Sequence, residues 1–295
     1  MEYISYNSCL TEQSAQIESL ILSRDQRKAY GFPVQMKSQV YVQPCQYSSK
    51  VLFYTEYDNT RVCTRCQTVF EVERDGYQRI WGDSPVCQVA NHGMYNFHIH
   101  TQQSVEVLKT FQRAPREDPS NQFMSRKLFA LDVESVYTSH GQAVGRVTVV
   151  DQYGNVALDC FVKPKEIVYD YVTQYSGLTP EHLEYATETV ESVREKIFQI
   201  INRRSILVGH ALNGDLKNLG IVHSEVIDTS VIFSNNGRRP SLRDLASRYL
   251  NWSIQNSING HCSYEDSIAS LNLVYFAAEN SHLLSPDFQK CSSLY

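Results

Sequence analysis

The sequence predicts a mixed α/β sheet flanked by helices, preceded by a smaller module containing cysteine and histidine. Three β-patterned runs follow one another closely between residues 127 and 162, and amphipathic helices then alternate with short apolar strands as far as residue 279. Strands first and helix–strand alternation afterwards is the order of a mixed α/β domain. Ahead of it, Cys9, Cys45, Cys63, Cys66 and Cys87 crowd into the first ninety residues, while Cys160, Cys262 and Cys291 are scattered.

Each element follows from its own residues. Thr11 can cap a helix whose Ile17, Leu20 and Ile21 share a face. Tyr30-Gly31-Phe32-Pro33 ends that helix and begins an irregular, tyrosine-rich stretch. Cys63-Thr64-Arg65-Cys66 opens a compact element reaching about His92. Residues 111–126 hold Pro115, Pro119 and several charges with no apolar period, and read as a linker. Lys127 to Glu134, Gly145 to Asp151 and Val156 to Val162 are strands, the last two joined by a turn at Asp151-Gln152-Tyr153-Gly154-Asn155, which makes an antiparallel meander. Thr189 to Asn202 places Val190, Val193, Ile197, Ile200 and Ile201 at helical spacing. Ser205 to Gly209 is a short buried strand, Asn213 to Leu219 a helical turn, and Val226-Ile227 a brief fifth strand. Ser241 to Leu250 and Ser263 to Glu279 are helices, the second long enough to cover the sheet. The expected organisation is an N-terminal module at 1–110, a linker at 111–126, the main domain at 127–285 and a tail at 286–295, with no internal repeat.

Composition narrows the classes of function. At 295 residues, with 42% hydrophobic and 20% charged, the chain suits an ordinary globular protein with one large domain and an appendage. No apolar run approaches the ~20 residues of a membrane-spanning helix, so no membrane partner is expected. The amino terminus lacks a basic region followed by an apolar one, so the expectation is an intracellular protein, in the nucleus rather than the cytoplasm. Reduced thiols or metal ligands then suit the cysteines better than disulfides. A net charge of −5 counts against a broad nucleic-acid-binding face. Arg126-Lys127, Arg203-Arg204 and Arg238-Arg239 offer a local basic groove, although solvated surface is the simpler reading of any one pair.

The chemistry lies in four carboxylates and a histidine. Asp132 and Glu134 are two apart on a strand, so they share a face. Like charges that close repel strongly unless a cation lies between them, and magnesium takes a few carboxylate oxygens while keeping waters. Asp215 follows Gly209-His210-Ala211-Leu212-Asn213-Gly214 at the start of a helix. His261 precedes Asp266 by five residues across a loop hinged at Gly260, which would leave the imidazole mobile. Any single piece is unremarkable: an Asp-x-Glu is usually surface and a loop histidine usually ordinary. The ordered set is far more specific.

That set, with Phe129-Ala130-Leu131-Asp132-Val133-Glu134, Arg146-Val147-Thr148-Val149-Val150-Asp151, Phe161-Val162-Lys163-Pro164, Tyr175-Ser176-Gly177-Leu178-Thr179 and Ile227-Asp228-Thr229-Ser230, resembles the DEDDh exonucleases of the DnaQ-like superfamily. The closest branch is the RNA exonuclease-1-like group that includes the GOR-antigen proteins, and the resemblance covers roughly residues 126–280. It implies an RNase H-like five-stranded sheet and a 3′→5′ exonuclease releasing 5′-nucleoside monophosphates. Two magnesium or manganese ions would be held by Asp132, Glu134, Asp215 and Asp266, with His261 as general base. Val133 and Ser135 depart from the cysteine and methionine common around that glutamate, which implies altered packing or 3′-end contacts. The implied substrate is the 3′ end of single-stranded RNA, with single-stranded DNA as the alternative. Contacts to the terminal nucleotide fall to Ser135 and Val136 through their backbone, Ser176, Leu178 as a wedge against the base, and His210 and Asn213 near the phosphate. Core packing competes with the wedge role, and helix capping with the phosphate roles. A non-catalytic RNA-binding scaffold is the reading of another class; keeping so many repelling acids argues against it. His261 and the 3′-end segment disfavour an endonuclease acting on hybrids.

In the N-terminal module, Cys63, Cys66, Cys87 and His92 form a Cys3His set for a structural zinc, with His98 or His100 as substitutes for His92. The resembled branch carries a longer Cys/His-rich module here, whereas Phe70 to Ser84 contains neither residue. A remnant of that module with ordinary thiols is the competing reading. Cys9 and Cys45 read as small buried hydrophobes.

Overall fold

A computed structural model describes residues 10–43, 45–46, 59–78, 87, 97–116, 126–257, 260–284 and 288. Expectations for Cys9, His92, the middle of the 111–126 linker and the last seven residues lie outside these, as do the side chains of residues 10–13, Thr11 among them.

The meander is the spine of the fold. Strands Leu128–Thr138 and Gly141–Asp151 pair antiparallel, and Val156–Phe161 joins the outer side of the second. The first and second strands are buried on both faces over most of their length, which is why they read as nearly continuous apolar runs. Val147, Val149, Leu131 and Leu207 are fully enclosed, each contributing about 1.5–3 kcal/mol by leaving water. On the other side of the first strand, Ile206–Gly209 and then Val226–Asp228 add in parallel. Val168–Asp170 adds a short sixth strand beside the end of the first. The five expected strands are all present, and the first runs four residues beyond Glu134.

Helices close the two faces. Thr189 caps Val190–Ile200 through a reciprocal box with Ser192, and the buried Val193 and Ile197 turn it toward the sheet. Ser263–Glu279 lies across three strands; its small buried Ser267, Ala269, Ser270 and Ala277 let it approach closely. The expected Ser241–Leu250 helix is α-helical only over Leu242–Leu245, then widens to a π turn at Ala246–Leu250 and stops at Asn251, whose φ is +55°.

The N-terminal stretch differs from a module ending at residue 110. Ile17, Leu20, Leu22, Tyr30 and Phe32 belong to the main core, and Leu22 N–H donates to Val226 O at 2.8 Å. The single helix expected to run to Tyr30 is two, Leu10–Glu18 and Arg24–Ala29; the signal for the restart was Ser23-x-x-Gln26, a capping box. A hairpin of Val34–Met36 and Gln39–Tyr41 follows. Gln112–Arg113, inside the expected linker, pairs in parallel with Ile221–Val222, Phe111 and Ala114 are buried, and Arg203 binds the carbonyls of Ala114 and Pro115. A smaller separate core holds Cys63, Phe70, Val72, Cys87 and Ile99.

Candidate active site

Strand alternation sends Asp132 and Glu134 to the same side of the sheet, with Thr148 and Arg146 directly opposite them. The register then slips between Glu134 and Ser135 because the partner strand carries an extra residue, Gly145. Such bulges bend a strand and re-aim its side chains. A Cβ on Gly145 would lie 2.3 Å from Leu178 Cδ1, so the glycine is what allows Leu178 to close over the bulge.

Asp215 comes from the first turn of Asn213–Leu219. The turn before it is built on Asp228, a fully buried carboxylate that accepts the N–H groups of Ala211 and Leu212, each at 3.0 Å, and the N–H and hydroxyl of Ser230. Those bonds hold Ala211 at φ +57°. Asp266 comes from the first turn of the long helix, whose start is tied to the sheet by a 2.6 Å bond between the Ser263 and Thr148 hydroxyls. Gln255 Nε2 donates to Asp266 Oδ2 at 2.8 Å, and the Gln255 N–H donates to Glu265.

Ligand oxygens of Asp132, Glu134 and Asp266 all lie within 4.8 Å of one another. Asp215 stands next to them, near enough for its charge to act on Glu134 and for that of Asp132 to act on it. Glu134 Oε1, Asp215 Oδ2 and Asp266 Oδ1 are buried and have no hydrogen-bond partner among the described residues. Burial, then the neighbouring charges of Asp132, Asp266 and Asp215, push the Glu134 carboxyl up to about 10, with Arg146 opposing. Burial and then Asp266 hold Asp132 well above the carboxylate range, and burial and then Asp132 do the same for Asp215. Burial raises Asp266 to about 6 against the bond from Gln255. Convergent acids with unused oxygens, too crowded to ionise together, are the donor set of a hard divalent cation. These residues fit magnesium or manganese.

His261 reaches the same cleft, with Nδ1 3.7 Å from Asp266 Oδ2. Its loop is pinned rather than mobile. Gly260 has φ +97°, and a Cβ there would come 2.3 Å from Gly177 N and 2.4 Å from Thr173 O, while His261 N–H donates to Tyr175 O at 2.8 Å. Burial, reinforced by Arg243 and opposed by Glu265, lowers the pKa of the imidazole, so it is neutral at pH 7 and able to accept a proton.

The cleft encloses about 1270 Å³, and Glu134, Ser135, Ser176, Asp215 and His261 line it together with Tyr171, Gln174, Tyr175 and Asn218. Ser135 Oγ accepts a bond from Asn218 at 3.1 Å. Leu178 and Val136 are enclosed with Leu183 in a small apolar cluster: the side chain of Leu178 packs the bulge, the core-packing reading, while the contact expected of Val136 is through its backbone. His210 Nδ1 is 2.9 Å from Thr229 Oγ1, and Asn213 Oδ1 is 3.5 Å from Arg239. In the three basic pairs, Arg126 is ion-paired with Glu18, Arg203 binds the Ala114 carbonyl, and Arg239 meets Asn213. Sequence reading missed Gln255, Asp228 and Arg146 as supports of the acids. Asp228 and Arg146 each stood inside a motif already noted, whereas Gln255 carried no signal. The thiols of Cys63, Cys66 and Cys87 converge on His98, the substitute foreseen for His92.

Comparison with known proteins places these features in a family. Residues 129–274 match the RNase_T family, described as "Exonuclease". The chain is 33% identical over 309 residues to exonuclease GOR of Pan troglodytes, covering 94% of this chain and 44% of that protein. It is 30% identical over 295 residues to RNA exonuclease 1 homolog of Homo sapiens, covering 88% of this chain and 23% of that one. The chain thus spans less than half the length of either relative. A solved structure of the Neurospora crassa Pan2 catalytic unit, containing a protease and a nuclease domain, superposes with a TM-score of 0.51 at 26% identity, over 62% of this chain and 32% of that one. The fold is RNase H-like, and through residues 129–274 the chain belongs to the exonuclease family.

Proposed function

We propose that the protein is a metal-dependent 3′→5′ exoribonuclease that removes nucleotides from the 3′ ends of single-stranded RNA as 5′-nucleoside monophosphates. The observation that carries this reading is the meeting of Asp132, Glu134 and Asp266 within 4.8 Å, with Glu134 lining one cleft together with Asp215 and His261. Asp132, Glu134, Asp215 and Asp266 would hold two magnesium or manganese ions. When bound, such ions cancel the carboxylate charge, activate water and stabilise the leaving 3′ oxygen. His261 takes a proton from the attacking water at Nε2, and Asp266, facing Nδ1, steadies the imidazolium that forms. Gln255 keeps Asp266 oriented from behind. Exposed Tyr175, edge-on to His261 at 6.3 Å between ring centroids, offers a face on which a terminal base can stack. The names of the RNA exonuclease relatives support RNA as the substrate class.

The test is a time course on 5′-labelled single-stranded RNA with magnesium or manganese, beside matched DNA. The expected result is a ladder of single-nucleotide steps, blocked by a 3′-phosphate and by chelator, and absent with Asp132→Asn. His261→Ala is expected to lower kcat by about 10²–10⁴-fold. Unshortened RNA in every lane would overturn the reading, and digestion of DNA alone would change the substrate.

A further inference from the structure

We propose that Cys63, Cys66, Cys87 and His98 bind one structural zinc ion, and that this zinc knuckle builds one wall of the nuclease cleft. The four ligand atoms lie within 4.8 Å of one another, and three of the residues are buried. Cys63 Sγ and Cys87 Sγ are 3.8 Å apart, and Cys66 Sγ is 3.3 Å from His98 Nδ1. A tetrahedral site with Zn–S of about 2.3 Å and Zn–N of about 2.0–2.1 Å puts two sulfurs about 3.8 Å apart, and a sulfur and a nitrogen about 3.6 Å apart. The thiols are thus too far apart for a disulfide, whose sulfurs sit about 2.05 Å from each other, and at the spacing a zinc ion imposes.

The backbone is shaped for the same purpose. Cys63 N–H donates to Thr68 O, and Gln67 N–H donates to Cys63 O with Gln67 at φ +60°, which curls the Cys63-x-x-Cys66 loop round the thiols. Strands Thr60–Val62 and Val69–Glu71 pair on either side of the loop, and Phe70 stacks on the His98 ring at 5.1 Å. Among the described residues, Phe70, Val72 and Ile99 are the buried apolar residues that pack with these cysteines.

The loop between the first two cysteines faces the active site. Thr64 and Arg65 line the cleft together with Glu134, Asp215 and His261. Arg65 is ion-paired with Asp170 on the short sixth strand and lies over the Tyr137 ring at 5.9 Å. Thr64 N–H donates to Ile99 O, next to the ligand His98. Zinc fixes the loop, the loop fixes Arg65, and Arg65 clamps the knuckle to the sheet. This second half of the proposal rests on the nuclease reading above.

Metal analysis of the full chain, purified without chelator, tests the site itself. One zinc per chain is expected, and its replacement by Co²⁺ should produce visible bands of a tetrahedral thiolate site. The Cys63→Ser/Cys87→Ser protein should lose both. Since that variant risks misfolding, titration of the wild-type thiols with a mercurial should also release the zinc in step with thiolate loss. Zinc far below one per chain, or iron in its place, would overturn the site. These readouts do not depend on nuclease activity. For the wall, Arg65→Ala should keep its zinc and raise KM for RNA several-fold with kcat within about twofold. Full zinc with an unchanged KM would overturn that half.

Discussion

At the scale of single residues the site is a set of conflicts that a cation resolves. Glu134 has its carboxyl pushed up to about 10 by burial and then by its acidic neighbours. Between the unfolded value, near about 4.3, and that raised value, the folded metal-free chain holds a proton that the unfolded chain has lost, so stability falls as pH rises. Asp132→Asn removes one of the repelling charges. In metal-free buffer at neutral pH it is expected to raise Tm above the wild type, and the added Tm that magnesium gives the wild type should shrink. A variant less stable than the wild type without metal would show that repulsion is not the dominant cost. Asp228 is the opposite case: its buried oxygens are all used by backbone and hydroxyl donors. Asp228→Ala leaves those donors unmet, at about 1–3 kcal/mol for each buried group that finds no water, and releases the turn carrying Asp215. Urea denaturation and single-turnover rates should both register the loss.

At the scale of elements, the bulge at Gly145 ties the strand carrying Asp132 and Glu134 to the segment around Leu178. The extra residue lets Arg146 face Glu134 while Ser135 faces Val144, and Leu178 fills the space above the glycine. Gly145→Ala drives a methyl group into Leu178 and is expected to cost about 1–3 kcal/mol of stability. Adding Leu178→Ala should cost less in that background than in the wild type, since the two residues share one space. Denaturation midpoints of the four proteins in the cycle measure this; strict additivity would mean the contact has no energetic weight. The locked Gly260 loop belongs to this scale too, because it delivers His261 from a segment pressed against the Thr173–Ser176 helix.

For the whole molecule, the N-terminal residues and the exonuclease domain share one core. Leu20 is enclosed in the same cluster as Leu131 and Val274. Leu20→Ala is expected to cost about 2–5 kcal/mol and to lower the unfolding midpoint of the catalytic domain itself; an unmoved midpoint would restore a boundary at residue 110. Acid sensitivity is also global. His223 is buried, with Nε2 2.6 Å from Ser205 O, and burial, helped by Arg27 and Arg113, lowers its pKa to about 4. Its stability contribution is present above the unfolded value near 6.5 and is lost as pH falls toward 4, by roughly 3 kcal/mol in full. With magnesium bound, so that the carboxylates no longer titrate, stability measured from pH 7 to 4.5 should fall less steeply in His223→Gln than in the wild type.

Local pattern by itself determined the meander, the presence of the two later strands and the limits of the Ser263–Glu279 helix, and it singled out the five candidate site residues. Strand alternation, helical spacing and the chemistry of acids and imidazole are all legible within a few residues. What only the tertiary structure decided depends on partners distant in the chain. Leu178 looks like a projecting wedge until the bulge glycine across the sheet is seen to enclose it. His210 and Asn213 flank the Asp215 turn in sequence, and only the fold sets them beside Thr229 and Arg239. His98 completes the thiol cluster because the strands beneath it bring residues 63 and 98 together, a contact that the spacing of residues 87 and 92 does not contain. The docking of residues 111–114 depends on pairing with Ile221–Val222 and on the bond from Arg203, and such long-range contacts leave no periodicity in a short segment.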